Sequence, residues 1–180
     1  MKYVIASDIH GSAYYTNELL KAYEAEAANR LILLGDILYH GPRNPLPREY
    51  DPQRVCTMLN LYKDQILCIR GNCDSEVDQM VLEFPILAEH IWLDLGETTA
   101  FLSHGHVYNL ENPPLVAKGT ILMNGHFHIP SCINQGGLTY MNPGSISLPK
   151  ENSEHSYMVY ENREFLWKNL QGEVFKRHII

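Results

Sequence analysis

Lys2 to Gly11 read KYVIASDIHG, an apolar run that stops at serine and then presents an aspartate, a histidine and a glycine. Four later stretches end in the same way: Arg30 to Leu34 before Gly35-Asp36, Ile66 to Ile69 before Arg70-Gly71-Asn72, Thr99 to Leu102 before Ser103-His104-Gly105-His106, and Thr120 to Met123 before Asn124-Gly125-His126-Phe127-His128. Short β-rich apolar runs bounded by glycine predict buried strands. The sequence therefore predicts five strands, each followed at once by polar side chains.

In the segments between the first of these strands, apolar residues recur with the spacing of a helix face. Three predicted helix faces consist of Leu19, Leu20, Tyr23 and Ala27; of Val55, Met58, Leu59 and Tyr62 after Pro52; and of Val77, Met80, Val81 and Phe84 after an N-cap at Asp74 or Ser75. Alternating strands and helices predict parallel strands with right-handed crossovers. After about residue 85 the helical pattern fades, and segments near 91–95, 138–141, 157–160, 164–169 and 174–179 predict a second, largely antiparallel sheet.

The composition limits the size and the classes of partner. A chain of 180 residues fits one domain, residues 1–180, with a substantial core. Lys plus Arg total 14 and Asp plus Glu total 21, a net charge of −7. This balance argues against stable nucleic-acid binding, which depends on clustered cations that neutralise phosphates. The sequence has no basic run, and no apolar run approaches the roughly 20 residues of a membrane helix, so we expect no membrane association.

The N-terminal residues and the cysteines indicate a compartment. Asp8 and His10 come too early for a signal peptide, which predicts a cytoplasmic protein. Four cysteines occur at irregular separations that match neither a zinc knuckle nor a disulfide framework: Cys56, Cys68, Cys73 and Cys132. In a reducing cytoplasm we expect four free thiols.

The polar residues at the predicted strand ends have the chemistry of metal ligands. They are Asp8, His10, Asp36, Asn72, His104, His126 and His128. Taken singly, an aspartate here could cap a helix and Asn72 could lie in a turn. Ligands of open α/β sheets collect at the carboxyl ends of the strands, and mixed histidine and carboxylate sets suit manganese, iron, zinc or nickel. Five such coincidences together favour a metal site.

These motifs resemble a known family. Asp-x-His at Asp8, Gly-Asp at Asp36, Gly-Asn at Asn72, the histidine after the fourth strand and Gly-His-x-His at His126 resemble the five blocks of the calcineurin-like metallophosphoesterases. The likeness extends through Asn142-Pro143-Gly144-Ser145. Within that family, GDILYHGPRN and IRGNCDSEVDQM resemble the small bacterial YfcE-type phosphodiesterases.

The resemblance implies a fold, an activity and a ligand set. The fold is α/β, a four-layer α-β-β-α sandwich with two mixed β-sheets flanked by helices. The activity is metal-dependent hydrolysis of a small phosphodiester by a hydroxide that bridges two divalent cations; Mn²⁺ is favoured, with Zn²⁺, Fe²⁺ or Ni²⁺ as alternatives. Asp8, His10 and His128 would hold one cation, Asn72, His104 and His126 the other, and Asp36 would bridge them. Self-association into a homo-oligomer is also implied.

Cys73 departs from the family pattern. Many of these enzymes read Gly-Asn-His here, and that histidine donates a proton to the leaving oxygen. A thiol is a poorer donor than an imidazolium, so the substitution predicts esters whose leaving group needs little protonation, or another acid such as His106 or His40. Cys73 is disfavoured as a nucleophile. The predicted catalytic set is Asn72, Cys73, Asp74 and His104, in which Asp74 orients an acid or caps a helix.

Other residues carry weaker signals. Arg43 and Asn44 lie in a proline-rich stretch, residues 39–52, and either meet the substrate phosphate or are solvated. We expect Phe127 to point into the core and Trp92 and Trp167 to pack between the layers. We assign no role to His90, His155 and His178.

Three other functions remain open. The first is a phosphomonoesterase or nucleotidase, which the missing acid disfavours. The second is a non-catalytic metal-binding interaction scaffold, like the retromer subunit that shares this fold, which predicts eroded ligands. The third is a structural zinc protein, which a ligand set without thiolates disfavours. Metal-dependent turnover of an activated diester separates the enzymes from the others.

Overall fold

All five apolar runs that the sequence predicts as strands form strands. The computed structural model describes residues 1–180 and contains three helices and eleven strands. In chain order these are β1 (Tyr3–Ala6), α1 (Ala13–Ala25), β2 (Arg30–Leu33), α2 (Pro52–Asn60), β3 (Ile66–Cys68), α3 (Glu76–Gln79), β4 (His90–Asp94), β5 (Thr99–Ser103), β6 (Ile121–Met123), β7 (Ser131–Gln135), β8 (Leu138–Asn142), β9 (Ser156–Glu161), β10 (Glu164–Asn169) and β11 (Val174–Ile179).

The strands form two mixed sheets. The first has six strands in the order β11-β10-β9-β1-β2-β3, with β1, β2 and β3 parallel to one another and β9 antiparallel to β1. The second has five strands in the order β4-β5-β6-β8-β7, with β5, β6 and β8 parallel. The predicted pair of mixed sheets is confirmed.

Alternate residues of the central strand enter two different cores. Val4 and Ala6 of β1 belong to a core shared with α1 and α2, whereas Tyr3 and Ile5 belong to a core between the two sheets. Side chains of a strand alternate between its faces, so a strand buried on both sides must be apolar throughout. This explains why the run YVIA has no polar residue.

The helices begin at identifiable caps. The Ser12 side chain accepts a hydrogen bond from the Tyr15 N–H and starts α1, and Asp51 caps α2, with proline at the first position. Side-chain oxygens at these positions satisfy backbone N–H groups that have no partner within the helix. The apolar faces of α1 and α2 then cover the outer face of the six-stranded sheet.

The outer layer of the five-stranded sheet contains no helix. Phe101, Leu122 and Tyr140 on that face are covered by an irregular segment that supplies Tyr108 and Val116. Helices therefore flank only one of the two sheets, and the fourth layer of the predicted sandwich is a loop. No helix is long and apolar enough to cross a membrane.

Two sequence predictions about strand and helix placement are wrong. The segments after residue 85 do not form one largely antiparallel sheet, because β9, β10 and β11 join the first sheet and the second has a parallel centre. The third helix is only four residues long, with Ser75 as its N-cap. Val77, Met80 and Val81, predicted on its buried face, are exposed.

The two tryptophans differ in environment. Trp167 is fully buried between the sheets, as predicted, and its indole N–H donates to the Asn142 carbonyl at 2.7 Å. Trp92 is half exposed on the edge strand β4. The prediction that Trp92 packs between the layers is wrong, because its side chain lies on the outer face beside Phe101.

Candidate metal centre

The seven predicted ligands meet at one edge of the molecule. Asp8 and His10 follow β1, Asp36 follows β2 and Asn72 follows β3. His104 follows β5, and His126 and His128 follow β6. The carboxyl ends of both parallel sets face this edge, so loops that are far apart in the sequence converge there.

The loop after β1 adopts a strained backbone. Asp8 and His10 have φ values of 58° and 51°, in the left-handed region, which side-chain-bearing residues adopt only when their surroundings stabilise it. Those surroundings include the hydroxyls of Ser145 and Ser147, which donate to the Asp8 carbonyl at 2.9 and 2.8 Å. Ser145, the last residue of the Asn-Pro-Gly-Ser block, and Ser147 just after it thus hold the backbone of the first ligand loop, a role that the sequence motif did not reveal.

The loops after β2 and β3 approach each other backbone to backbone. A Cβ built on Gly35 would lie 2.5 Å from the Gly71 nitrogen, and one built on Gly71 would lie 2.1 Å from the Asp36 Oδ1. Neither position leaves room for a side chain. The two glycines therefore allow Asp36 and Asn72 to approach a common centre.

The side chains fall into two groups that share Asp36. In the first, the His128 Nε2 lies 3.3 Å from the Asp8 Oδ1, and the His10 Nε2 lies 3.7 Å from both that oxygen and the Asp36 Oδ2. In the second, the His104 Nε2 lies 3.3 Å from the Asp36 Oδ2. One ligand atom from each of Asp36, His104 and His126 falls within a span of 4.8 Å. The Asn72 Oδ1 lies 3.1 Å from the His104 Nε2.

Backbone carbonyls set the tautomer of three histidines. The Nδ1 atoms of His10, His104 and His128 lie 2.8, 2.6 and 2.6 Å from the carbonyl oxygens of Tyr39, Leu34 and Leu148. A carbonyl only accepts, so each Nδ1 carries its hydrogen and donates it. In a neutral ring the lone pair then resides on Nε2, which faces the centre, as in ligating histidines.

Around His10, His128 and Asp8 the centre holds acceptors without donors, an arrangement that fits a cation. The Nε2 atoms of His10 and His128 face each other at 3.3 Å, so two lone pairs meet when both rings are neutral. The Asp8 Oδ1 is buried and accepts no hydrogen bond. A buried carboxylate oxygen without a donor is costly, and a cation between these atoms would remove that cost.

Burial and charge pull the pKa values of the site residues apart. Burial opposes the charge on His104, but its hydrogen bond to Asp36 and the nearby carboxylates outweigh burial and raise its pKa to about 9. Burial and the positive charge of His104 lower the pKa of His126 to about 4. Burial also opposes ionisation of Asp8, yet His128, His104 and His10 hold its pKa well below the usual range. Strongly shifted pKa values in a cleft are typical of functional sites.

Cys73 lies at the wall of the site with its thiol beside the ligands. Its backbone N–H donates to the Asp36 Oδ1 at 2.8 Å, and the Asn72 amide lies 3.2 Å from the sulfur. Burial and the charge of Asp36 raise the pKa of the thiol well above its usual range. A protonated thiol is a weak nucleophile, so the geometry gives Cys73 no activation.

Asp74 does not cap α3, whose N-cap is Ser75, and its carboxylate accepts backbone N–H groups. Its Oδ2 accepts the N–H groups of Gly71 and Asp36 at 2.7 and 2.8 Å, and its Oδ1 accepts that of Ile37 at 2.8 Å. Burial raises the pKa of this carboxyl to about 6, although the three N–H groups favour its charged form. Asp74 therefore joins the loops after β2 and β3 and holds Asp36 in place.

A cleft of about 370 Å³ opens onto the ligands. It is lined by Asp36, Gly41, Pro42, Arg43, Asn44, Asn72, Cys73, His126, Phe127, His128 and Lys150. Arg43 and Asn44 of the proline-rich stretch thus lie where a substrate would bind. Two lining residues were not foreseen: Lys150, which no motif marked, and Phe127. The prediction that Phe127 points into the core is wrong, because the side chain is 40% exposed in the cleft.

The two proposed substitute acids differ in position. The His106 ring is exposed and its centroid lies 5.5 Å from that of His104, beside the site. His40 packs against Tyr39 and Tyr50 with its Nδ1 buried and without a partner. Neither histidine lines the cleft, but the His106 ring lies next to that of His104, so His106 is the better placed of the two.

Residues 1–164 match the family model described as the calcineurin-like phosphoesterase superfamily domain. The chain belongs to this superfamily. All seven ligand positions of the phosphoesterase lie inside the matched residues. The resemblance inferred from the five motifs is thereby confirmed at the level of the family.

Individual relatives of this phosphoesterase are also known. Phosphodiesterase YfcE of Escherichia coli strain K12 is 43% identical over 162 residues, 90% of this chain and 88% of the relative. The probable metallophosphoesterase YsnB of Bacillus subtilis strain 168 is 24% identical over an alignment that covers 88% of this chain and 83% of the YsnB chain. The solved structure of YfcE, a phosphoesterase from E. coli, covers all of both chains with a TM-score of 0.96 and 40% identity.

A more distant structure shares only the fold. Vps29 of Entamoeba histolytica, solved in complex with Zn²⁺, has a TM-score of 0.61 and 19% identity over 99% of both chains. The two-sheet architecture is thus common to proteins whose sequences differ widely. Membership of the superfamily establishes a phosphoesterase whose family depends on divalent metal ions.

Proposed function

We propose that this protein is a phosphodiesterase that hydrolyses small phosphodiesters at a dinuclear metal centre, with Mn²⁺ as the favoured cation. Its 43% identity to a phosphodiesterase supports the choice of diesters. The observation that carries the proposal is the cluster of inward-facing acceptors: the Nε2 atoms of His10 and His128 3.3 Å apart beside an unpartnered Asp8 Oδ1. Cations between its members would remove the cost of burying these acceptors without donors.

Seven side chains would hold the two cations. Asp8, His10 and His128 suit one position, and Asn72, His104 and His126 suit the other. Asp36 suits the bridging position, because its Oδ2 is near both His10 and His104. When bound, the cations would supply an activated water nucleophile at neutral pH and positive charge for the phosphoryl oxygens.

Cys73 supports a diester with a good leaving group. Its thiol lies where the family pattern places an acid, and burial and Asp36 raise the pKa of that thiol. A group that holds its proton so tightly donates it poorly to a leaving oxygen. We expect turnover to fall steeply as the leaving group becomes more basic, and His106 is the side chain placed to lessen that fall.

The charges around the cleft support a small anionic ester. Arg43 and Lys150 line it and add positive charge where a phosphate would approach. The protein as a whole carries a net charge of −7, which repels long polyanions at a distance. We therefore expect small diesters as substrates and no stable complex with nucleic acid.

Three expectations from the sequence stay predictions: that the chain forms one domain, that it assembles into a homo-oligomer, and that it is located in the cytoplasm.

The decisive experiment measures metal-dependent turnover of bis(p-nitrophenyl) phosphate. The protein is first stripped by chelation and then loaded separately with Mn²⁺, Ni²⁺, Zn²⁺ or Mg²⁺. We expect turnover with Mn²⁺, none after chelation, and a loss of more than about 100-fold in kcat/KM for Asp36→Asn, since even outer contacts of metal ligands are worth about 10–100-fold.

Asp64→Asn is the matched control, because it makes the same chemical change at an exposed loop position. Calorimetric titration with Mn²⁺ should give two ions per chain. Metal binding without turnover of any ester would favour the scaffold. One ion per chain would overturn the dinuclear centre, and faster turnover of p-nitrophenyl phosphate than of the diester would favour a phosphomonoesterase.

A further inference from the structure

Phe127 is the one hydrocarbon aromatic ring that lines the catalytic cleft. It lies between His126 and His128 in the chain and is 40% exposed. Its ring meets the His126 ring edge to face, with the centroids 5.3 Å apart. Single exposed apolar side chains are ordinary on a protein surface, but this ring lies on the wall of the cleft, where a bound ligand would contact it.

The backbone explains why the ring faces the cleft. His126 and His128 have φ values of 64° and 62°, and the Phe127 N–H donates to the Gly125 carbonyl at 2.7 Å in a tight turn. The side chains of both histidines turn toward the carboxylates of the ligand cluster, and Phe127 between them is left on the cleft side. The two metal-ligand positions that hold this turn therefore hold the ring as well.

The rest of the cleft favours the phosphate end of a ligand. Arg43 and Lys150 are cationic and Asn44 and Asn72 are polar, so Pro42 is the only other apolar side chain apart from the Cys73 thiol. An ester whose phosphate sits at the ligand cluster would place one of its organic groups along the wall that carries Phe127. A flat aromatic group could lie against the ring face to face and add a π interaction beyond its buried area, which an alkyl group does not supply.

We propose that Phe127 is a specificity-determining residue that stacks on an aromatic group of the substrate. The inference rests on the proposed function and narrows the substrates of the enzyme to phosphoesters that carry a planar ring. In biological phosphoesters the common planar ring is a nucleobase. Stacking of a base on an aromatic side chain is worth roughly 5- to 150-fold in affinity. It tolerates different bases, because every base presents a π-face.

The test compares two product-like ligands that differ in the ring. Binding of adenosine 5′-monophosphate and of ribose 5-phosphate to the Mn²⁺-loaded protein is measured by calorimetry. In the wild type we expect the nucleotide to bind at least about 5-fold more tightly. The preference should disappear in Phe127→Leu, which keeps apolar bulk, and persist in Phe127→Tyr. Phe175→Leu is the matched control, because Phe175 is 42% exposed on the edge strand β11.

Two results would overturn the inference. The first is equal affinity for the two ligands in the wild type. The second is an unchanged preference in Phe127→Leu; if both affinities fall together in that variant, the ring only supports His126. Turnover of bis(p-nitrophenyl) phosphate by the same wild-type preparation is recorded separately, so a failure of the proposed function is seen independently of the affinity ratio.

Discussion

Replacing Asp74 by asparagine should loosen the site without touching a metal ligand. The Asp74 carboxylate accepts three backbone N–H groups, those of Gly71, Asp36 and Ile37, at 2.7–2.8 Å. An asparagine has one acceptor oxygen, so its amide N–H₂ must face at least one of these donors. A buried donor left unsatisfied costs about 1–3 kcal/mol. We therefore expect Asp74→Asn to lower the free energy of unfolding by roughly that amount.

Alanine at the same position is a less useful probe. It would leave three buried donors unsatisfied, for a sum of roughly 3–9 kcal/mol. That range overlaps the whole stability of a typical domain, about 5–15 kcal/mol, so Asp74→Ala is expected to unfold much of the protein. The asparagine variant keeps the fold and reports on the position of Asp36.

The assay pairs stability with metal affinity. Urea unfolding gives the free energy of the chelator-treated protein, and calorimetry gives the Mn²⁺ dissociation constant, which should rise about 10–100-fold in Asp74→Asn. Asp78→Ala is the control, since Asp78 closes the capping box of α3 with Ser75 and should cost about 0.5–2 kcal/mol with no change in affinity. If Asp74→Asn also left the metal affinity unchanged, Asp74 would not position Asp36.

Two further predictions concern Cys73 and His104. Cys73→His should raise kcat/KM for methyl phenyl phosphate, which has the poorer leaving group, more than for methyl p-nitrophenyl phosphate, by as much as about 10²-fold. Equal gains for the two diesters would refute the acid role of that position. In the chelator-treated protein the pKa of His104 is raised to about 9 from 6.5, so protonation of this side chain stabilises the fold. The stabilisation is complete below pH 6.5 and is lost as the pH rises through 9, a loss of roughly 3 kcal/mol. Urea unfolding at pH 6 and pH 9.5 should show that loss in the wild type and not in His104→Asn, and equal losses in both would contradict it.

Part of the convergence of these seven side chains could be predicted because it follows from a local rule. Each apolar run is short and ends at a glycine or a polar residue, and parallel strands place their carboxyl ends at one edge. Asp8 and Asp36, which follow neighbouring parallel strands of one sheet, were therefore recognisable as neighbours from the sequence alone. Placing His104 beside them depends on how the two sheets pack, because β5 belongs to the other sheet, and only the family resemblance implied that part of the site.

The errors arise where long-range contacts decide the structure. Strand β9 pairs with β1 about 150 residues earlier in the chain, and no periodicity within residues 156–179 specifies that partner. Phe127 follows neither strand alternation nor helical spacing, because both of its neighbours have positive φ. Trp92 is on an edge strand with its outer face open to solvent, which hydrophobicity alone does not show.

The pairing of β1 with β9 has a consequence for biosynthesis. While the chain leaves the ribosome, β1 can add β2 and β3 on one side, but its other edge stays unpaired until residue 161 has emerged. Exposed strand edges recruit other chains, and late long-range pairing slows folding. The side chains of Asp8, His10 and Asp36 therefore leave the ribosome early. For most of translation, the sheet that supports them in the folded protein is still incomplete.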